Sequence, residues 1–199
     1  MKGSAWRHPL WVTRRVRELA LAALCSGAGE QEAAMDVPIE TRFKVLCEIS
    51  RTQHFAWREA ALALAPHLDP IRLTDKMWEI TGVETAKAYL QRIDPKKPLA
   101  IQVAQCIAFS SVCMGEEVVV EEGEGDEAFV RHRNCPWFHW HKRRGLLGED
   151  QSGCDTWFRT VVVELNKALQ SDIKVETQCS LPAGGDCCRR RIWVQPSPC

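Results

Sequence analysis

The chain has 199 residues, 45% hydrophobic and 26% charged, and its 26 lysines and arginines balance 26 aspartates and glutamates. That balance offers no net field for nucleic acid or an anionic membrane, and no apolar run approaches the ~20 residues that span a bilayer. What is left is an ordinary soluble globular protein, expected in the cytoplasm, and the sequence admits a homo-oligomer. Ten cysteines need their own account: a chain long enough to build a core does not require disulfide staples, so reduced thiols, some of them ligands, are expected.

Residues 1–34 read as an N-terminal arm. No acid precedes Glu18, and the apolar run from Leu19 to Leu24 is shorter than the ~7–15 residues of a signal-peptide core. A lipoprotein pattern ending at Cys25 is poorly matched by the leucine before it. The arm is expected to be dispensable, with Met35 as the natural first residue.

From Pro38 the pattern is helical, with Phe43, Leu46, Cys47 and Ile49 near 3.6-residue spacing. A second amphipathic piece, FAWREAALALAPHL, ends at Pro66. Thr74 is placed to cap a third helix. Gly82 is expected to break that helix before ETAKAYLQRI continues as a fourth. The nearly all-apolar stretch PLAIQVAQCIAFSSVCMG supplies the buried helix, and Cys47, Cys106 and Cys113 read as packing residues on these faces.

After Gly115 the period changes to two. EEVVVEEGEGDEAFVRHR reads as a hairpin turning at Gly123–Asp126. CDTWFRTVVVELNKALQ carries a helical stripe of Phe158, Val161, Val162, Leu165 and Leu169, with Asp150 or Ser152 as cap. DIKVETQCSL, the turn PAGGD, and CCRRRIWV make a second hairpin, and the tail QPSPC frays. The expected fold class is α+β: a helical N-terminal half, then β-hairpin, helix and β-hairpin forming an antiparallel sheet backed by helix. Residues 35–115 are the helical region and 116–199 the site-bearing region, expected together as one compact domain.

The segment Phe129–Trp157 concentrates the chemistry. It holds three of the six histidines and three of the eight tryptophans. His132, Cys135, His139 and His141 present four nitrogen or sulfur donors at ligand-like spacing, suited to one divalent metal such as zinc, manganese or iron. On an extended stretch His139 and His141 share a face. A second reading gathers Cys135, Cys154, Cys179 and either Cys187 or Cys188 as four thiolates for structural zinc or an iron–sulfur cluster. A third makes Cys154, placed at a helix start, or Cys135 a thiolate nucleophile with a histidine as base, and Asp155 or Glu149 orienting that histidine or carrying protons. In Arg189-Arg190-Arg191, strand alternation puts Arg189 and Arg191 on one face and Arg190 on the other. Arg189 and Arg191 are the candidates to hold a small-molecule carboxylate.

The strand ending HRNCPW, the helix opening GCDTWF and the run ETQCSLPAGGDCCRRRIWV together resemble the C-terminal region of the L-2-amino-thiazoline-4-carboxylic acid hydrolase family, over Glu121 to Val194. The Cys, Gly-Asp, Cys ending more distantly resembles 4-vinyl reductase domains, which bind small ligands. Those domains space the second cysteine three after the aspartate, whereas Cys187 and Cys188 here follow Asp186 by one and two. The first resemblance implies hydrolytic opening of a cyclic amidine-type ring on a carboxylate substrate. The residues would serve it as a metal at Cys135, His139 and His141 activating water, Asp155 or Glu149 moving protons, and Arg189 or Arg191 holding the carboxylate. The second resemblance implies a ligand- or metal-binding module without turnover.

Overall fold

A computed structural model describes residues 36–195. The arm expected at 1–34 and residues 196–199 of the tail lie outside the described residues. Three helices come first: α1 (Ile39–Leu64), α2 (Pro70–Leu90) and α3 (Leu99–Cys113). Strands β1 (Glu117–Glu122) and β2 (Glu127–Asn134) follow, then α4 (Pro136–Arg144) and α5 (Leu147–Leu169), then β3 (Ile173–Cys179) and β4 (Cys188–Val194). The class is α+β. No helix among the described residues is long and apolar enough to cross a membrane.

Two expected helix breaks are absent. The pieces read from Phe43 to Ile49 and from Phe55 onward are one 26-residue helix, α1. Helix α2 runs straight through Gly82, because that glycine is a crossing point with α5. A Cβ there would lie 2.8 Å from Cβ of Thr160. The cap of α2 is also elsewhere than expected. Asp69 accepts from the Ile71 N–H and Pro70 occupies the first turn, where its missing N–H costs nothing. Thr74, read as the cap, is buried and donates its hydroxyl to Glu149 at 2.9 Å. Helix α3 borrows its cap from the sheet: the Leu99 and Ala100 N–H groups donate to Asp126 in the β1–β2 turn at 3.0 and 2.8 Å. That satisfies two of the four N–H groups a helix start leaves open.

The sheet is antiparallel throughout, in the order β1-β2-β4-β3. Two hairpins are thus joined through β2 and β4, with Val130 opposite Arg190 and Ala128 opposite Ile192. Alternation sorts each central strand into two faces. Ala128, Val130 and His132 of β2 and Cys188, Arg190 and Ile192 of β4 are buried. Against this inner face pack Val103, Ala104 and Ile107 of α3 and Phe158, Val161 and Leu165 of α5. The outer face carries the opposite parity and is laced with charge: Arg131 and Arg189 pair with Glu121, and Arg191 with Glu127 and Glu176.

Helices α2 and α5 cross closely at a second glycine. A Cβ on Gly153 would fall 2.6 Å from Nε1 of Trp78, so the indole would have to move. Gly153→Ala is expected to cost about 1–3 kcal/mol of overpacking and to lower the midpoint of thermal unfolding by several degrees. Circular dichroism against temperature reads this directly, and an unchanged midpoint would mean that the two helices part freely there.

Candidate functional site

A cavity of about 420 Å³ opens between the inner face of the sheet and the helices. That is room for on the order of fourteen waters at liquid density and lies within the usual range of small-molecule sites. Its body is aromatic and thioether, built by Met77 and Trp78 from α2, Trp137 from α4, and Trp157 and Phe158 from α5. Trp78 and Trp137 meet edge to face at 5.6 Å, and the Trp157 indole N–H donates to Thr85 at 3.3 Å. Its other end is polar, where the inward positions of β2 and β4 bring His132, Cys188 and Arg190 beside Cys135, Cys154 and Glu116.

Arg190 is the principal feature of that polar end. Its side chain is 2% exposed. Nη2 contacts Cys154 Sγ at 3.4 Å and Asp155 Oδ1 at 3.3 Å, and Cζ sits 5.0 Å from the centroid of the Phe158 ring. Nε and Nη1 are buried without a hydrogen-bond partner; the Cys188 thiol lies alongside the guanidinium without the geometry of a bond, and a thiol is a weak acceptor in any case. Burial disfavours the charge, yet Cys154, Asp155 and Cys188 outweigh it and hold the guanidinium above its ordinary value. It is a fixed cation in the cavity wall, with two nitrogens that make no hydrogen bond.

The two acids in the cavity wall are each engaged. His132 Nε2 lies 2.8 Å from Ser111 Oγ and 3.2 Å from Glu116 Oε2. Asp150 lies 3.2 Å from Nδ1 of His141, a ring 2% exposed that also donates from Nδ1 to the Trp137 carbonyl at 2.9 Å. A carbonyl only accepts, so Nδ1 carries the proton. His54 packs against Trp78 and Trp137. Burial pushes its pKa down to about 4, with the His141 and Arg58 charges adding and Glu149 opposing.

The expected metal donors are dispersed. The dense segment is not extended: Cys135 precedes a first-turn proline, Gly145 closes the helix at φ 72°, and everything between is α4. Two residues along a helix turn through about 200°, so His139 and His141 point apart. His139 is exposed and bonds Asn134 at 3.0 Å, while His141 faces inward and His132 sits on β2. Among the described residues no three histidine, cysteine, aspartate or glutamate side chains form a metal-holding group. The four-thiolate set divides likewise, with Cys135, Cys154 and Cys188 at the cavity and Cys179 outside its wall.

The thiolate reading of Cys154 depends on a helix start that lies elsewhere. Helix α5 begins at Leu147, because the Leu146 carbonyl already accepts from the N–H groups of Glu149 and Asp150 at 3.0 and 3.3 Å. Those acids take the positive end of the helix, and Cys154 falls two turns further in. Burial raises its thiol to about 12, with Arg190 opposing and Asp150 adding, so it stays protonated at neutral pH. Burial likewise raises Cys135 well above the ordinary thiol range.

Glu149 and Asp155 are structural partners. Glu149 takes two bonds from Arg58 of α1 and one from Thr74 of α2. Asp155 accepts from Gln151, Thr177 and Arg190. Arg189 and Arg191 lie on the outer face, over the rings of Phe129 and Trp193 and paired with acids. The alternation of the three arginines holds, but the inward one is Arg190. Its signal is present in the sequence: Arg190 shares parity with Ile192, and an apolar Ile192 belongs to the core. His54, Trp78, Ser111 and Glu116 carry no local signal, because only the packing of separate elements brings them to one cavity.

No family model matches the chain, and no curated protein matches it. Among solved structures, it is similar to a trafficking protein particle complex subunit 3 from Naegleria fowleri covalently bound to palmitic acid. That match has 12% identity over 79% of this chain and 97% of that one, with a TM-score of 0.45. An H-NOX protein from S. oneidensis in the Fe(II)NO ligation state matches with 11% identity, 92% and 90% coverage and a TM-score of 0.41. An NMR structure of a mutant H-NOX domain from Shewanella oneidensis in the Fe(II)CO ligation state matches with 11% identity, 94% and 92% coverage and a TM-score of 0.42. At those scores the likeness assigns neither a family nor a ligand.

Proposed function

We propose that residues 36–195 form a small-ligand-binding module whose cavity takes an aromatic or other apolar body carrying one carboxylate. The observation behind this reading is Arg190, a buried guanidinium with two unpartnered nitrogens at the polar end of an aromatic cavity. A buried donor without an acceptor costs about 1–3 kcal/mol, and a carboxylate entering the cavity removes that cost with charge-assisted bonds. A dianionic phosphate suits the site less well, since it needs more donors and meets Glu116 and Asp150 in the same wall.

Ring hydrolysis, which the resemblance of residues 121–194 implies, is the rival reading. It requires an activated nucleophile as well as recognition. Cys154 keeps its proton, and His132 meets both Ser111 and Glu116 at the same nitrogen, whereas a triad holds the base through its other nitrogen. These features favour binding over turnover.

Calorimetric titration with 2-naphthylacetate and its neutral analogue 2-(2-naphthyl)ethanol tests the proposal. The acid is expected to bind about 10- to 100-fold more tightly, the ratio given by charge-assisted bonds of about 1.5–3 kcal/mol. Arg190→Met is expected to erase that preference while the alcohol still binds. Equal affinity for the two in the unaltered protein would remove the carboxylate, and no binding of either would remove the cavity as a site.

A further inference from the structure

The outer surface of α1 carries a stripe of large apolar side chains that nothing among the described residues covers. Ile39, Leu46, Trp57 and Leu64 are 64%, 65%, 76% and 89% exposed, and Phe43 lies on the same line. Their spacing is not random. The steps from Ile39 to Phe43 to Leu46 are four and three, and continuing that alternation passes through Ser50 and Gln53 to Trp57, then through Ala60 to Leu64. This is the seam of a coiled-coil helix, and an alternation of three and four selects a helix as its partner. The inward side of α1 is formed by Cys47, Arg51 and Phe55, with Ser50 and His54 lining the cavity, and it meets the stripe at Ser50.

We infer that a second copy of this chain covers the stripe, α1 packing antiparallel against α1 about a two-fold axis. The seam is its own complement in that arrangement. With the axis between Arg51 and Thr52, Ile39 faces Leu64 of the partner subunit, Phe43 faces Ala60, and Leu46 faces Trp57. Two of these layers set a large side chain against a smaller one, the condition for interdigitation. At the centre of the seam Gln53 is exposed, whereas Ser50 beside it is half-buried and lines the cavity. A two-fold contact requires one self-complementary patch, and α1 supplies it. A parallel pairing would set Trp57 against Trp57 and lose the size matching.

The helix has 26 residues, so the seam is about 39 Å long. With the flanking Ile49 and Ala56 it buries on the order of 1,000 Å² over both copies, the low end of specific interfaces. A dimer dissociating in the micromolar range is therefore expected.

Sedimentation equilibrium of the full chain between ~1 and ~100 μM tests this. The unaltered protein is expected to pass from monomer to dimer over that range. Leu46→Glu and Trp57→Lys, each at an exposed position, are expected to leave the far-ultraviolet circular dichroism unchanged and to weaken the dimer at least ~10-fold. The two together should restore association, because in the antiparallel register the introduced acid and base face each other across the axis. A monomer at ~100 μM, or a dimer that neither single change weakens, would overturn the proposal. A double variant as monomeric as the singles would overturn the antiparallel register.

Discussion

Glu149→Ala is expected to destabilise the domain by about 3–5 kcal/mol, the cost of leaving one partner of a buried ion pair behind. Arg58 and Glu149 side chains are 14% and 7% exposed. The pair is bidentate, Thr74 adds a third bond at 2.9 Å, and the hydrogen bond to Glu149 raises Arg58 above its ordinary value against the effect of burial. Removing the carboxylate strands the guanidinium and a hydroxyl together. It also releases a tie that joins α1, α2 and α5 at a single point. Urea unfolding should show the loss as a lower midpoint at an unchanged slope. A change below ~1 kcal/mol would mean that water reaches Arg58 and that the clamp carries little of the fold. Because Glu149 lies outside the cavity wall, ligand affinity of the folded variant is expected to hold.

The second large effect is a loss of stability on mild acidification. His54 in the folded protein takes up its proton near pH 4, against an ordinary value of 6.5, chiefly because it is buried. Between those values the unfolded chain binds more protons than the folded one, so stability falls as pH drops from about 6.5 toward 4. The whole span is at most about 3 kcal/mol. The ring is held among Trp78, Trp137 and His141, with Arg58 and Glu149 nearby. Once charged there it lacks a carboxylate of its own, since Glu149 is taken by Arg58. His54→Gln is expected to flatten the stability profile between pH 6.5 and 4, read by urea unfolding at several pH values. An equally steep profile in that variant would assign the acid sensitivity to other groups.

Much of the fold is legible because period carries direction. The switch from 3.6 to 2 after Gly115, the turn at Gly123–Asp126 and the stripe from Phe158 to Leu169 each correspond to an element in the structure. The errors come where tertiary packing overrides a local rule. Gly82 reads as a breaker from propensity, yet the helix runs through it, and Thr160 occupies the space a Cβ would take. Thr74 reads as a cap, yet its hydroxyl is used by a carboxylate 75 positions away.

The candidate site is legible in place but not in chemistry. Cys135, His132 and Cys154 do line the cavity, as their clustering suggests. Their roles depend on whether residues 136–144 are helical and on where α5 begins, and both boundaries lie within a few residues of the wrong answer. Arg190 shows how narrow the margin is. Alternation along CRRRIWV is enough to separate it from its neighbours, and only the choice of the inner face is missing. The residues that complete the cavity on the helical side, His54, Trp78 and Ser111, meet it from three helices, and no spacing along the chain could bring them together.

The central claim is that Arg190 receives the ligand's charge, and nitrogen-15 NMR of the arginine side chains tests it most directly. On titration with 2-naphthylacetate, the guanidinium resonances of Arg190 are expected to shift and saturate at the calorimetric affinity, while those of the buried Arg51, whose Nη1 already donates to the Met114 carbonyl at 2.9 Å, stay in place. Saturable binding of the acid with the Arg190 resonances unmoved would contradict the account.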